Sequence, residues 1–238
     1  MGYRVNNIVK TGGIPMHIAG YFLDNIRIYA FVETGTAAGD SVKEAARHIG
    51  LCHTIELIPE RQLIDQSISN IFWHRGNSID VLPGIIESLL AEKSRCGLKE
   101  GQYYYTLFWL DAHYSGNTPN TTGYKECYLL EELDIISAMS QHSIILIDDA
   151  RLFMGKPPQP NNAGDWPSVQ QIFRKIEEKY PYFIVTIIDD YILAIPDRIG
   201  WVFDLIWQEG YFTRYPSEPE KLRMEVKNVF EAFKNYIR

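Results

Sequence analysis

Three carboxylates and an imidazole stand at the ends of two apolar runs. Asp111-Ala112-His113 follows Tyr104-Tyr105-Thr106-Leu107-Phe108-Trp109-Leu110, and Asp148-Asp149 follows Ile144-Ile145-Leu146-Ile147. Such runs read as buried strands. Acidic residues at the carboxyl ends of parallel strands lie where α/β proteins bind ligands. Asp111, Asp148 and Asp149 offer oxygens to a hard cation such as magnesium. A cation there binds two adjacent hydroxyls of an acceptor and lowers the pKa of one. His113, near neutrality in its ordinary pKa, takes the proton. Other readings fit the same residues. Asp148 and Asp149 cap the following segment with Arg151 as partner, Asp111 bonds a cofactor or nearby amides, or His113 is a structural histidine.

A second constellation lies upstream. Glu33-Thr34-Gly35-Thr36-Ala37-Ala38-Gly39-Asp40-Ser41 follows a strand-like run and opens a helix-like one. Gly35 permits a turn with close backbone approach, and Gly39 lets the helix start near the strand. Amides at a helix start receive an anionic group. The glycine spacing is neither the dinucleotide fingerprint nor a phosphate-binding loop, so it suits an adenosyl group without a pyrophosphate. Glu56 and Leu57 end the next run, and a carboxylate there accepts hydrogen bonds from ribose hydroxyls. Asn77 and Ser78 follow a third run and are placed to meet an adenine edge.

The elements that must hold these residues alternate between strand-length apolar runs and segments of helical period, the pattern of βαβ units. Strands are expected over Ile28–Glu33, Cys52–Leu57, Asn70–Trp73, Tyr104–Leu110 and Ser143–Ile147. Phe183–Ile188 and Tyr191–Ile195 flank Asp189-Asp190 as an antiparallel hairpin. Helices are expected over Ser41–Ile49, Arg61–Ser67, Ile79–Glu92, Glu126–Met139, Trp166–Lys179 and Lys221–Tyr236. In the Glu126–Met139 segment, Leu129, Leu133, Ile136 and Met139 are spaced for burial, and neither Glu131 nor Glu132 is assigned a ligand role. The expected fold is α/β, a Rossmann-like doubly wound, mostly parallel seven-stranded sheet with a C-terminal antiparallel hairpin. Residues 1–27 form a lid or extra helix, 28–200 the cofactor-binding domain, and 201–238 a helical extension.

Composition narrows the function classes. A net charge of -7 excludes a general nucleic-acid surface. No stretch approaches the roughly 20 apolar residues of a transmembrane helix, and no signal peptide is visible at the amino terminus. Three dispersed cysteines, Cys52, Cys96 and Cys127, fit a reducing, cytoplasmic setting without zinc.

The chain resembles the class I S-adenosylmethionine-dependent methyltransferases. Val32-Glu33-Thr34-Gly35-Thr36 with Gly39 is similar to their first motif, and Glu56 to their ribose-binding acidic residue. The closer likeness is to the macrocin O-methyltransferase group, which acts on sugar hydroxyls of natural products. In that group a Glu-Thr-Gly motif is followed by a strand ending in Asp, a base two or three residues later, and an Asp pair ending the next strand. Glu33-Thr34-Gly35, Asp111, His113 and Asp148-Asp149 hold those places. The likeness spans residues 28 to 150. It departs at Gln141-His142-Ser143, where the group carries a Gly pair, in the longer loop from Tyr114 to Lys125, and beyond Asp149.

The resemblance implies S-adenosylmethionine held by Glu33, Thr34, Gly35, Thr36, Gly39, Asp40, Ser41, Glu56, Leu57, Asn77, Ser78 and Asp111. It implies His113 and Asp111 as catalytic groups, and magnesium at Asp111, Asp148 and Asp149. A sugar or glycoside acceptor would meet Tyr114, Tyr124 and Arg151. Two other classes stay open: a metal-dependent hydroxylase using iron through Asp111 and His113, and a non-catalytic cofactor-binding module. A homodimer is expected because the aromatic-rich tail needs a surface to cover. No nucleic acid or membrane partner is expected.

Overall fold

A computed structural model describes residues 13–58, 67–95, 103–114, 120 and 123–208. Its centre is a seven-stranded sheet of order β3-β2-β1-β4-β5-β7-β6. The strands are β1 (Ile28–Thr34), β2 (Cys52–Glu56), β3 (Ile71–Arg75), β4 (Tyr105–Leu110), β5 (Ser143–Ile147), β6 (Phe183–Ile188) and β7 (Tyr191–Pro196). β1 to β5 run parallel, and β7 is antiparallel to both β5 and β6. This is the α/β, Rossmann-like doubly wound sheet that the alternating runs imply.

Helices cover both faces. α1 (Met16–Asn25), α2 (Asp40–Ala45) and α7 (Trp201–Gln208) pack on one side. α3 (Ser78–Arg95), α4 (Leu129–Ile136), α5 (Ala150–Phe153) and α6 (Val169–Lys179) pack on the other. A strand covered on both faces is apolar at every position, and β4 and β5 are buried along their whole length. Strand alternation divides the cores. Leu107, Trp109, Ile144 and Leu146 face the α1 side, while Phe108, Leu110, Ile145 and Ile147 face the α3 side.

Several boundaries differ from the sequence expectation. The helix expected from Trp166 begins at Val169, because Ser168 forms a reciprocal capping box with Gln171. Pro167 therefore lies ahead of the cap. The helix expected over Glu126–Met139 is regular only over α4. It then tightens into a 3-10 turn over Ser137–His142, where Met139 leaves helical geometry. α2 is shorter than expected. Within 1–27, α1 is a packed helix whose Ile18, Ala19 and Phe22 are fully buried and which meets α7. Residues 61–66 of the expected Arg61–Ser67 helix lie outside the described residues, as do the Lys221–Tyr236 helix and Cys96.

The strand order matters for function. From β1 the chain winds outward through β2 and β3, then returns to build β4 and β5 on the other side. The reversal leaves a crevice at the carboxyl ends of β1 and β4, the place where open α/β sheets bind ligands.

Candidate functional site

Gly35 and Asp111 meet at that crevice. The Asp111 amide donates to the Thr34 carbonyl at 3.0 Å. Gly35 has φ +86, and a Cβ built on it comes 2.3 Å from the Asp111 carbonyl oxygen. Only glycine lets the turn after β1 pass so close to the end of β4. The turn is then clamped by Glu56 at the end of β2. Its Oε2 accepts from the Ala37 amide at 2.9 Å and its Oε1 from the Ile58 amide at 2.9 Å. Around these groups opens a cleft of about 140 Å³ bordered by the ends of β1, β2, β3 and β4.

The expected cofactor residues divide into two groups. Gly35, Glu56, Leu57, Asn77, Ser78 and Asp111 line the cleft. Glu33, Thr34, Thr36 and Ser41 are buried and do not line it. Glu33 points toward the α2 side of the sheet, where it accepts from the Thr54 hydroxyl at 2.5 Å. Thr54 and Thr36 share a hydrogen bond of 2.6 Å, and Ser41 accepts from the Ile14 amide at 2.9 Å. Burial pushes Glu33 up to about 8, against the opposing pull of the Thr54 and Ser41 hydroxyls. These groups support the turn from beneath. Gly39 caps α2 at φ +75 against the Trp73 ring, and Asp40 is exposed in the first turn of α2. Neither lines the cleft.

His113 occupies the wall beyond Asp111. Its side chain is 5% exposed, packed against Trp166 at 5.2 Å between ring centroids and edge-on to Phe153. Its Nε2 lies 2.9 Å from Asp149 Oδ2, and its Nδ1 is 3.7 Å from Asp111 Oδ1. Burial works to lower the His113 pKa. The hydrogen bond to Asp149 and the fields of Asp111, Asp149 and Asp148 outweigh it, and the net shift is upward. Burial pushes Asp111 up to about 7, with His113 opposing and Asp148 and Asp149 adding to the rise. Asp111 is the carboxyl poised near neutrality, beside an imidazole whose affinity for its proton is raised.

Asp149 is held by cations of the chain itself. It sits at φ +55 before α5, a conformation that Asp tolerates better than most residues. Its Oδ2 meets His113 and its Oδ1 lies 2.6 Å from Arg151. Burial works to raise it, but the hydrogen bonds and charges of His113 and Arg151 prevail and hold it at about 2. Asp148 accepts from the Asp149 amide at 2.8 Å and is raised by burial and by the neighbouring carboxylate. Among the described residues no three His, Cys, Asp or Glu side chains converge on one cation position. Asp111, Asp148 and Asp149, expected to hold magnesium, do not form such a cluster. Both oxygens of Asp149 are already engaged, one with His113 and the other with Arg151.

The expected acceptor residues separate as well. Tyr114 lines the cleft, and its amide donates to the Glu126 carbonyl at 2.7 Å. Tyr124 is 46% exposed and does not line the cleft. Arg151 is bound to Asp149 and to Asp190 in the β6–β7 turn, so it braces that hairpin against α5 instead of lining the cleft.

Two buried acids escaped the sequence reading. Glu132 is 2% exposed on α4. Burial pushes it up to about 7, opposed by the nearby Ser78 and Thr34 hydroxyls and by His113. It falls on the apolar face with Leu129, Leu133 and Ile136, so helical spacing carried the signal. Glu126 is 3% exposed and lines the cleft. Its neighbours come from a distant loop, and no local pattern marks it.

No protein-family model matches the chain, and no characterised sequence matches it. Similar solved structures are known at low identity. The N-methyltransferase NodS from Bradyrhizobium japonicum WM9 is 14% identical over 75% of this chain and 90% of that one, with a TM-score of 0.40. DesVI from Streptomyces venezuelae is 8% identical over 76% of this chain and 92% of that one, with a TM-score of 0.41. An O-methyltransferase family protein from Burkholderia thailandensis is 12% identical over 75% of this chain and 56% of that one, with a TM-score of 0.37.

Proposed function

We propose that the chain transfers a methyl group from S-adenosylmethionine to a hydroxyl of a sugar or glycosylated small molecule. The observation that carries this reading is Glu56 at the crevice beside the switch point. Each of its oxygens holds one backbone amide, and a carboxylate oxygen can accept more than one hydrogen bond. The remaining lone pairs suit the two adjacent hydroxyls of a ribose. Gly35 leaves the room that a bulky adenosyl group needs at the β1 turn, and Asn77 and Ser78 at the start of α3 supply polar atoms for a base.

When bound, the cofactor supplies an electrophilic sulfonium methyl carbon. The chain's own residues orient the acceptor and take its proton. Asp111, raised to about 7, is the proton acceptor in its ionised form. His113, held between Asp149 and Asp111, positions that carboxyl and balances its charge. Trp166 and Phe153 keep water from the imidazole. Magnesium would be a second route to the same deprotonation. It would act by stabilising Asp111 and Asp148 in their charged forms, but it would have to displace Arg151 or His113 to recruit Asp149.

The test is transfer of labelled methyl to a panel of sugars and vicinal diols, with and without chelator, as a function of pH. Product should form in chelator, and the rate should rise as pH passes about 7. Asp111→Asn should lose that rising limb. Loss of wild-type activity on chelation would replace Asp111 with a metal as the activating group. Oxygen consumption with added iron, and no methyl transfer, would favour a hydroxylase.

A further inference from the structure

Glu132 lies in α4 on the face that carries Leu129, Leu133 and Ile136, and is 2% exposed. It does not line the main cleft but a smaller pocket behind it, shared with His113, Tyr128 and Phe153. Among the described residues its Oε1 is buried without a hydrogen-bond partner, and so is Oγ1 of Thr34 at the end of β1. The hydroxyls of Thr34 and Ser78 both face the carboxyl. A carboxyl so enclosed is costly to hold as an unpaired anion. Protonated, it offers one O–H donor and keeps acceptor capacity, enough to serve a hydroxyl on each side.

The charged groups around Glu132 give it no counterion of its own. The field of His113 favours a charge there, but His113 Nε2 is already on Asp149 at 2.9 Å. Glu131 and Asp111 oppose one. α6 directs Lys175 and Lys179 to Asp134. Burial keeps the Cys127 thiol uncharged, pushed up to about 12. The two hydroxyls that face Glu132 belong to opposite sides of the cleft. Thr34 precedes Gly35, and its carbonyl takes the Asp111 amide at 3.0 Å. Ser78 opens α3 and lines the cleft.

We infer that Glu132 is a positioning residue for the cofactor: as a neutral acid it links Thr34 to Ser78 and holds the β1 turn against the start of α3. Ionisation removes its donor and leaves a buried charge, which loosens the cleft from behind. Burial raises Glu132 to about 7. The neutral form is therefore complete well below that pH and is lost as pH rises through it, and cofactor affinity falls with it. The inference rests on the cofactor assigned under Proposed function. A merely structural Glu132 would weaken the fold when replaced and leave the pH dependence of binding as it is.

The experiment is calorimetric titration of the full chain with S-adenosylhomocysteine between about pH 6 and about pH 8.5, on either side of the expected midpoint. Glu132→Gln is the uncharged isostere, with an N–H donor and a carbonyl acceptor. At about pH 6 it should bind within about twofold of the wild type. Across the range the wild type should lose about tenfold more affinity than Glu132→Gln, the equivalent of one pKa unit. Titration of Asp111 and of the ligand's own amine is common to both proteins and cancels in that comparison. Glu132→Leu, which has bulk but no polar atoms, should bind about tenfold more weakly already at about pH 6. If Glu132→Gln does not fold, Thr34→Val is measured instead, and its loss across the range should be smaller than that of the wild type by about threefold or more. A folded Glu132→Gln or Thr34→Val that loses affinity as steeply as the wild type, or a Glu132→Leu with wild-type affinity, overturns the role of Glu132 alone. Failure of the wild type to bind at any pH overturns the cofactor reading itself.

Discussion

Replacing Gly35 with alanine tests the geometry on which the cleft depends. The residue sits at φ +86, where an L side chain costs about 1–2 kcal/mol. The added Cβ would also lie 2.3 Å from the Asp111 carbonyl oxygen and 2.7 Å from its carbon. Both contacts are backbone, so relief requires β1 and β4 to move apart, with a cost of about 1–3 kcal/mol for overpacking. The sum is about 2–5 kcal/mol, or a midpoint of thermal unfolding lower by about 5–20 °C for a domain of this size. Gly20, within α1, is the control. A Cβ there meets nothing within 4 Å, so Gly20→Ala should stabilise by about 0.5–1 kcal/mol. Differential scanning calorimetry of the two variants checks both signs. A Gly35→Ala protein unfolding within about 1 °C of the wild type would refute the close approach of the β1 turn to Asp111.

Other perturbations probe single parts of the site. Glu56→Ala should weaken S-adenosylhomocysteine binding by about 1–3 kcal/mol, and unchanged affinity by calorimetry would remove Glu56 from the site. Glu33, raised from 4.5 to about 8, favours the folded state while protonated. That contribution is complete below its unfolded pKa and is lost as pH rises through about 8. Glu33→Gln should therefore flatten the fall in stability between about pH 5 and about pH 9, and a wild-type slope in urea titrations would contradict the buried neutral acid. Arg151→Ala should cost no more than about 1 kcal/mol, since its side chain is 56% exposed. It should also leave the acceptor KM unchanged. A large KM increase would return Arg151 to the acceptor site.

Much of this site was legible in the sequence because strand ends are local features. The apolar runs before Glu33, Glu56, Asp111 and Asp148 fixed which residues reach the carboxyl edge of the sheet, and Gly35 marked the turn that needs a missing side chain. What the sequence concealed is the direction of side chains within those ends. Glu33 and Ser41 share the motif with Gly35, yet strand alternation sends Glu33 to the α2 face and Ile14 covers Ser41. The role of Asp149 depended on Arg151 and on His113, whose positions follow from a left-handed turn and a distant hairpin. Glu126 joins Asn162, Asp165 and Trp166 across a long loop, a partnership that no periodicity announces. Glu132 was visible in the helical spacing of α4 but reads as a surface acid unless its phase is counted against Leu129, Leu133 and Ile136.

The most direct measurement is calorimetric titration of the full chain with S-adenosylmethionine and S-adenosylhomocysteine, each with and without magnesium. Saturable binding of both ligands at about micromolar affinity, unchanged by magnesium, is the result expected from a cleft whose polar groups belong to the chain itself. No binding of either ligand, with or without the metal, would contradict the assignment of the β1–β4 crevice to this cofactor.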